Sequence, residues 1–86
     1  MACVVAQGDR IAFQVNRAGG GHAEIWIVNG ATGTARAIAK HDPDYLDETP
    51  TWFPDGRHLA IQSNRTGRME VWMIAIDGST QIQITR

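Results

Sequence analysis

The residues best suited to chemistry gather between positions 41 and 48, where His41-Asp42-Pro43-Asp44-Tyr45-Leu46-Asp47-Glu48 holds four of the nine acidic side chains. Carboxylates spaced this closely suit two tasks: oxygen ligation of a divalent cation, or pairing with a basic partner. Asp42, Asp44, Asp47 and Glu48 are the metal candidates. Their pattern, Asp-x-Asp-x-x-Asp-Glu, lacks the glycine and the ligand interval of a calcium loop. A solvated acidic turn, or carboxylates paired locally with arginine, is the principal expectation. No cofactor is expected.

Arg17 and Arg65 recur in matching segments, Asn16-Arg17-Ala18-Gly19 and Asn64-Arg65-Thr66-Gly67. A guanidinium placed this way can hold an anion or a partner's carboxylate. It can also brace the fold by pairing with the recurring Glu24 or Glu70, or with a loop aspartate. Recurrence favours the brace, because a repeat copies its packing units. Asn16 and Asn64 are expected to bond to the turn backbone, which also accounts for the sequon Asn64-Arg65-Thr66.

The remaining reactive side chains carry less. His22, His41 and His58 show no ligand spacing, and His58, beside an Asp-Gly turn, is expected at the surface. The single Cys3 excludes an intrachain disulfide and a multi-cysteine zinc site, and reads as a buried, inert thiol. Trp26 and Trp72 stand in apolar runs and are expected to pack in the core. Trp52 has the same expectation, although its strand is the one nearest a channel. No Gly-x-Ser-x-Gly elbow, His-Glu-x-x-His pair or phosphate loop is present. Ser63 and Ser79 have no base adjacent in sequence. No enzymatic activity is expected.

Eighty-six residues form at most one small domain, and a hydrophobic share of 43% is that of a folded chain. Eight basic against nine acidic residues give a net charge of −1, which offers nothing to nucleic acid or an anionic membrane. No apolar stretch is long enough to span a bilayer. The opening Met1-Ala2-Cys3-Val4-Val5-Ala6 has no basic leader, so a soluble chain without an export segment is expected.

These residues sit on a repeat. Ile11-Ala12-Phe13-Gln14-Val15-Asn16-Arg17-Ala18-Gly19 matches Leu59-Ala60-Ile61-Gln62-Ser63-Asn64-Arg65-Thr66-Gly67 at five of nine positions, with an offset of 48. Glu24-Ile25-Trp26-Ile27-Val28 matches Glu70-Val71-Trp72-Met73-Ile74 at an offset of 46, and Gly20-Gly21 absorbs the difference.

Each copy reads as four short strands. The first covers Ala2 to Val5, or Thr51 to Phe53. In the second, Ile11, Phe13 and Val15 face one way and Ala12 and Gln14 the other, a pattern that Leu59 and Ile61 repeat. The third, around Trp26 or Trp72, is apolar on both faces. The fourth, near Ala35 to Ala39 or Gln81 to Thr85, is more polar, as an edge strand should be. The fold class is all-β.

Four strands per 46 to 48 residues is the period of a β-propeller blade. The expected unit is a single two-blade domain over 1–86, with blade one at 1–41, a linking loop at 42–48 and blade two at 49–86. Pro50-Thr51-Trp52-Phe53-Pro54-Asp55-Gly56, Leu59-Ala60-Ile61-Gln62-Ser63-Asn64-Arg65-Thr66-Gly67 and Glu70-Val71-Trp72-Met73-Ile74 together resemble the TolB-type propeller repeat. The second copy departs at Phe53, where that repeat has serine. The first copy shows Val4-Val5-Ala6-Gln7 in place of the Trp-x-Pro-Asp segment.

Two blades leave one apolar flank bare at each end, and such a surface marks an interface. Head-to-tail association is expected, with the chain itself as partner. The resemblance implies six blades and hence a homotrimer. An eight-bladed homotetramer comes second, and a piece excised from a longer gene is the compatible alternative.

In the ring, Asn16, Arg17, Asn64 and Arg65 would share a rim with His41, Asp42, Asp44, Tyr45, Asp47 and Glu48, a surface for protein or peptide. The resemblance implies a periplasmic, non-enzymatic interaction scaffold. The alternatives are a lobe that gates a serine peptidase and a shortened or engineered repeat with no ligand.

Overall fold

The computed structural model describes residues 4–38 and 44–85. Ala2 and Cys3 of the expected first strand, and His41 and Asp42 of the acidic segment, lie outside these. The described residues form two four-stranded antiparallel sheets and no helix, so no helix is long and apolar enough to cross a membrane.

The first sheet takes β1 (Val4–Gln7), β2 (Arg10–Asn16), β3 (Ala23–Asn29) and β4 (Ala35–Ala37), paired in chain order. The second takes β5 (Asp47–Trp52), β6 (His58–Ser63), β7 (Glu70–Ala75) and β8 (Gln81–Gln83) in the same order. Tight turns make this possible. At Pro54-Asp55-Gly56, proline presets the backbone and Gly56 takes φ 68°, a left-handed angle that costs it no Cβ clash. The Asp55 carboxylate accepts the Arg57 and His58 N–H groups at 2.8 and 3.2 Å, closing the turn.

The sheets pack face to face through one apolar seam. Ala12, Ile25, Ile27 and Ile38 of the first meet Leu59, Ile61 and Ile74 of the second, with Trp52, Trp72 and Ile76 against them. Strand alternation is as the sequence implies, but the two copies bury opposite series. β2 turns Ala12 and Gln14 inward and leaves Val15 40% exposed, whereas β6 buries Leu59, Ile61 and Ser63. At the repeat offset Val15 corresponds to Ser63, and Ala12 to Ala60. The third strands follow suit: Ile25 and Ile27 are buried, while their counterparts Val71 and Met73 are half-buried. The seam therefore joins one face of the repeat to the other face of its copy.

β5 begins at Asp47, so Asp47 and Glu48 are strand rather than the linking loop expected over 42–48. Asp47 pairs in register with Ser63 and Glu48 with Gln62, and a bulge before Thr51 then shifts the ladder. Thr49 takes the extra length with φ 52°, a left-handed conformation costing a β-branched residue on the order of 1 kcal/mol. Gln14 offsets this strain from the other sheet. Its Oε1 accepts the Thr49 N–H at 3.1 Å, its Nε2 donates to Asn16 Oδ1 at 2.9 Å, and neighbouring Pro50 is fully buried. The outer strands β4 and β8 are shorter than expected, three residues each.

Leu59→Ala should remove roughly 2–5 kcal/mol of stability, through lost transfer energy and an unfilled cavity. Ile82→Ala, at a side chain 48% exposed, should cost well under half of that. Denaturant titration of both variants checks the contrast.

Candidate functional site

The β2–β3 and β6–β7 hairpins lie at the same end of the pair, and residues 44–46 cross between them. Leu46 bridges to Ala23 of the first sheet. On the other side its N–H donates to Asn64 Oδ1 at 2.7 Å, and its carbonyl accepts the Asn64 N–H at 3.2 Å. The Asn64 side chain thus bonds to the crossing segment and not to its own turn, where the sequence placed it; only its carbonyl closes the turn, accepting the Gly67 N–H at 2.9 Å. Asn16 likewise differs, since its side chain takes the Gln14 amide. The left-handed positions in these turns fall to glycines, Gly19 and Gly67 among them, which leaves both asparagine side chains available.

Arg65 organises the second half of this end. Its Nη2 donates to Asp47 Oδ1 and Oδ2 at 3.0 and 3.1 Å, and its Nε donates to Ser63 Oγ at 3.0 Å. Nη1 donates to Gln81 Oε1. The guanidinium carbon Cζ lies 4.6 Å from the Trp72 ring centroid and 5.2 Å from that of Tyr45. Burial pushes the Tyr45 phenol above its ordinary pKa. Asp47 is fully buried and Arg65 is 14% exposed, so this pair works where water screens little.

Arg17 makes the corresponding contact in a wetter setting. Its Nη1 donates to Asp44 Oδ1 at 2.6 Å, with both side chains more than half exposed. Both repeated arginines thus pair with an aspartate from the linking region, not with Glu24 or Glu70. Glu24 instead faces His22, a residue that motif reasoning passed over. His22 is nearly buried, with Nε2 3.4 Å from Glu24 Oε2 and Nδ1 3.0 Å from Asp44 Oδ1. The signal was in the repeat. His22 aligns with Arg68 and Glu24 with Glu70 at the offset of 46, and Arg68 Nε stands 3.4 Å from Glu70 Oε1.

Asp44 is thereby shared by His22 and Arg17. Its hydrogen bond from His22 is the main cause that holds its carboxyl below the usual carboxylate range, with Arg17 adding to it. Of the four acidic candidates, Asp42 lies outside the described residues, and Asp44 and Asp47 each face an arginine. Among the described residues no three His, Cys, Asp or Glu side chains are grouped to hold a metal ion. Elsewhere, Trp72 packs against the core as expected, whereas Trp26 lies on the face of β3 opposite buried Ile25 and Ile27; both indole nitrogens are buried without a hydrogen-bond partner. Trp52 lies under Arg10, 5.3 Å from its ring centroid. His58 is half-buried and pairs with Asp55 at 2.7 Å.

Arg65→Ala strands a buried carboxylate and should cost roughly 3–5 kcal/mol, whereas Arg17→Ala should cost under about 1 kcal/mol. Denaturant titration separates the two. Asp44 has a depressed folded-state pKa, so its stabilising effect is complete above the unfolded value and disappears as pH falls through the folded one. Carboxyl NMR should find its midpoint below that of an ordinary aspartate, and His22→Ala should move it upward.

No protein-family profile matches the chain. A 39-residue stretch, 45% of the chain, is 41% identical to part of the uncharacterized protein Atu1656 of Agrobacterium fabrum. That match covers 13% of the relative, so the chain spans only a small part of the length of the protein it matches.

Proposed function

We propose that the chain is a non-enzymatic scaffold, a pair of β-propeller blades whose free flanks join copies head to tail into a closed ring. The use of opposite faces at the seam carries this reading. The first sheet offers Ala12, Gln14, Ile25 and Ile27, and the second answers with Leu59, Ile61 and Ile74. The repeat puts the counterparts of the first set, Ala60, Gln62, Val71 and Met73, on the open flank of the second sheet. It puts counterparts of the second set, Ile11, Phe13 and Val28, on the open flank of the first. Each flank has the composition of one side of the existing seam, so a second copy can extend the contact by the same operation.

A hollow of about 280 Å³ on the second flank, lined by Thr49, Thr51, Ala60, Gln62 and Val71, supports the fit. Phe13, counterpart of the seam residue Ile61, is the side chain that would enter it. Exposed Gln62 would take the bridging role of Gln14. At ~25 cal/mol per Å² of apolar area, covering such a flank stabilises by several kcal/mol, comparable with the whole stability of a small domain.

Resemblance to TolB-type repeats favours six blades and three chains over eight and four. The paired arginines and the crossing segment then surround one rim, where a protein or peptide partner would bind.

Light scattering should give a mass near three chains of 9.4 kDa. Phe13→Glu and Val71→Glu should each yield folded monomers. Mixed together they should form a dimer, because each variant keeps the flank the other has lost. A wild-type monomer that persists at high concentration would overturn the proposal, and a symmetric dimer would overturn its head-to-tail geometry.

A further inference from the structure

The six arginines of the described residues divide by position. At the hairpin end, Arg17, Arg65 and Arg68 each face a carboxylate: Asp44, Asp47 and Glu70. At the opposite end, Arg10, Arg36 and Arg57 have no carboxylate within ion-pair distance among the described residues. Arg36 Nη2 donates to the Ile76 carbonyl at 2.6 Å, a neutral partner that holds it across the two sheets. Arg10 lies over the Trp52 ring and against Gly56, where an added Cβ would stand 3.3 Å from its Nη2. Arg57 is exposed, and only its backbone is engaged.

These arginines border two clefts that share Arg10. One cleft of about 460 Å³ lies among Arg10, Arg57, Ile76, Ser79 and Thr80. A second, of about 210 Å³, shares Arg10 and runs to Arg36 between Thr32 and Thr34. The larger has the volume of a small-molecule site. Three acidic residues share this end: Asp77 accepts the Ser79 N–H at 2.9 Å, Asp55 pairs with His58, and Asp9, next to Arg10, accepts the Gly30 N–H with its carbonyl. Among the described residues that line the two clefts, three guanidiniums stand with one carboxylate, that of Asp77. Guanidinium forks beside hydroxyl donors match the geometry of phosphate and carboxylate oxygens.

We infer that this end of the sheet pair binds a small dianionic oxyanion, a phosphate or a dicarboxylate, between Arg10, Arg36 and Arg57. The site uses only residues of one chain and does not depend on ring assembly.

Amide NMR titration of the intact chain at fixed ionic strength tests it, with inorganic phosphate and succinate as probes and chloride as control. At least one probe should give saturable shifts at Arg57, Ser79 and Thr80. Saturation by phosphate alone, or by succinate alone, supports the site and identifies its ligand class. Arg57→Gln, at an exposed side chain, should weaken binding roughly tenfold, and Arg68→Gln at the other end should leave it unchanged. Shifts that never saturate, that chloride reproduces, or that survive in Arg57→Gln would overturn the assignment.

Discussion

A β-sheet that is apolar on both faces can cover only one of them against a single neighbour. In this chain the two sheets come from one repeat, and the seam between them joins unlike faces, Ala12 and Ile25 on one side to Leu59 and Ile61 on the other. Had like faces met, the pair would have been symmetric, with two like flanks left open. Joining unlike faces leaves unlike surfaces at the two ends.

The polar residues serve the seam as much as the apolar ones. Gln14 reaches across it to hold the strained Thr49 backbone, and Arg36 reaches across to the Ile76 carbonyl. A buried amide is costly unless bonded, so the Gln14 contact ties sheet spacing to a definite register, and the exposed Arg36 adds a second tie at the surface. Arg65 does the same within the second sheet, where Asp47, Ser63 and two aromatic rings converge on it. A buried ion pair of this kind adds less net stability than it adds definition, because desolvation offsets most of its attraction.

The strand order, the turns and the alternation within β2 and β6 were legible in the sequence, because period-two patterning and Asp-Gly turns are local signals. Which series faces inward was not. With Ile11 and Phe13 on one face and Ala12 beside Gln14 on the other, either face of a doubly apolar sheet can be the covered one, and the neighbour decides. The start of β5 was hidden because Asp47-Glu48-Thr49-Pro50 has loop composition; a buried arginine partner makes it strand. At the site, the pairing of Arg17 and Arg65 with aspartates was among the readings the residues allowed. The His22–Glu24 half of the His22 site was present in the repeat as i, i+2 spacing, but Asp44 reaches His22 only through the crossing segment, which spacing does not show.

The run Gly19-Gly20-Gly21, all at positive φ with open space around each, is where the first copy carries its two extra residues. Because lengthening a loop costs little, about 0.6 kcal/mol per doubling, that hairpin can lengthen without disturbing the strands it joins. Natural variants of the fold can therefore acquire new recognition segments there while the stacking surfaces stay under separate selection. The same point would accept a grafted peptide, displayed once per chain.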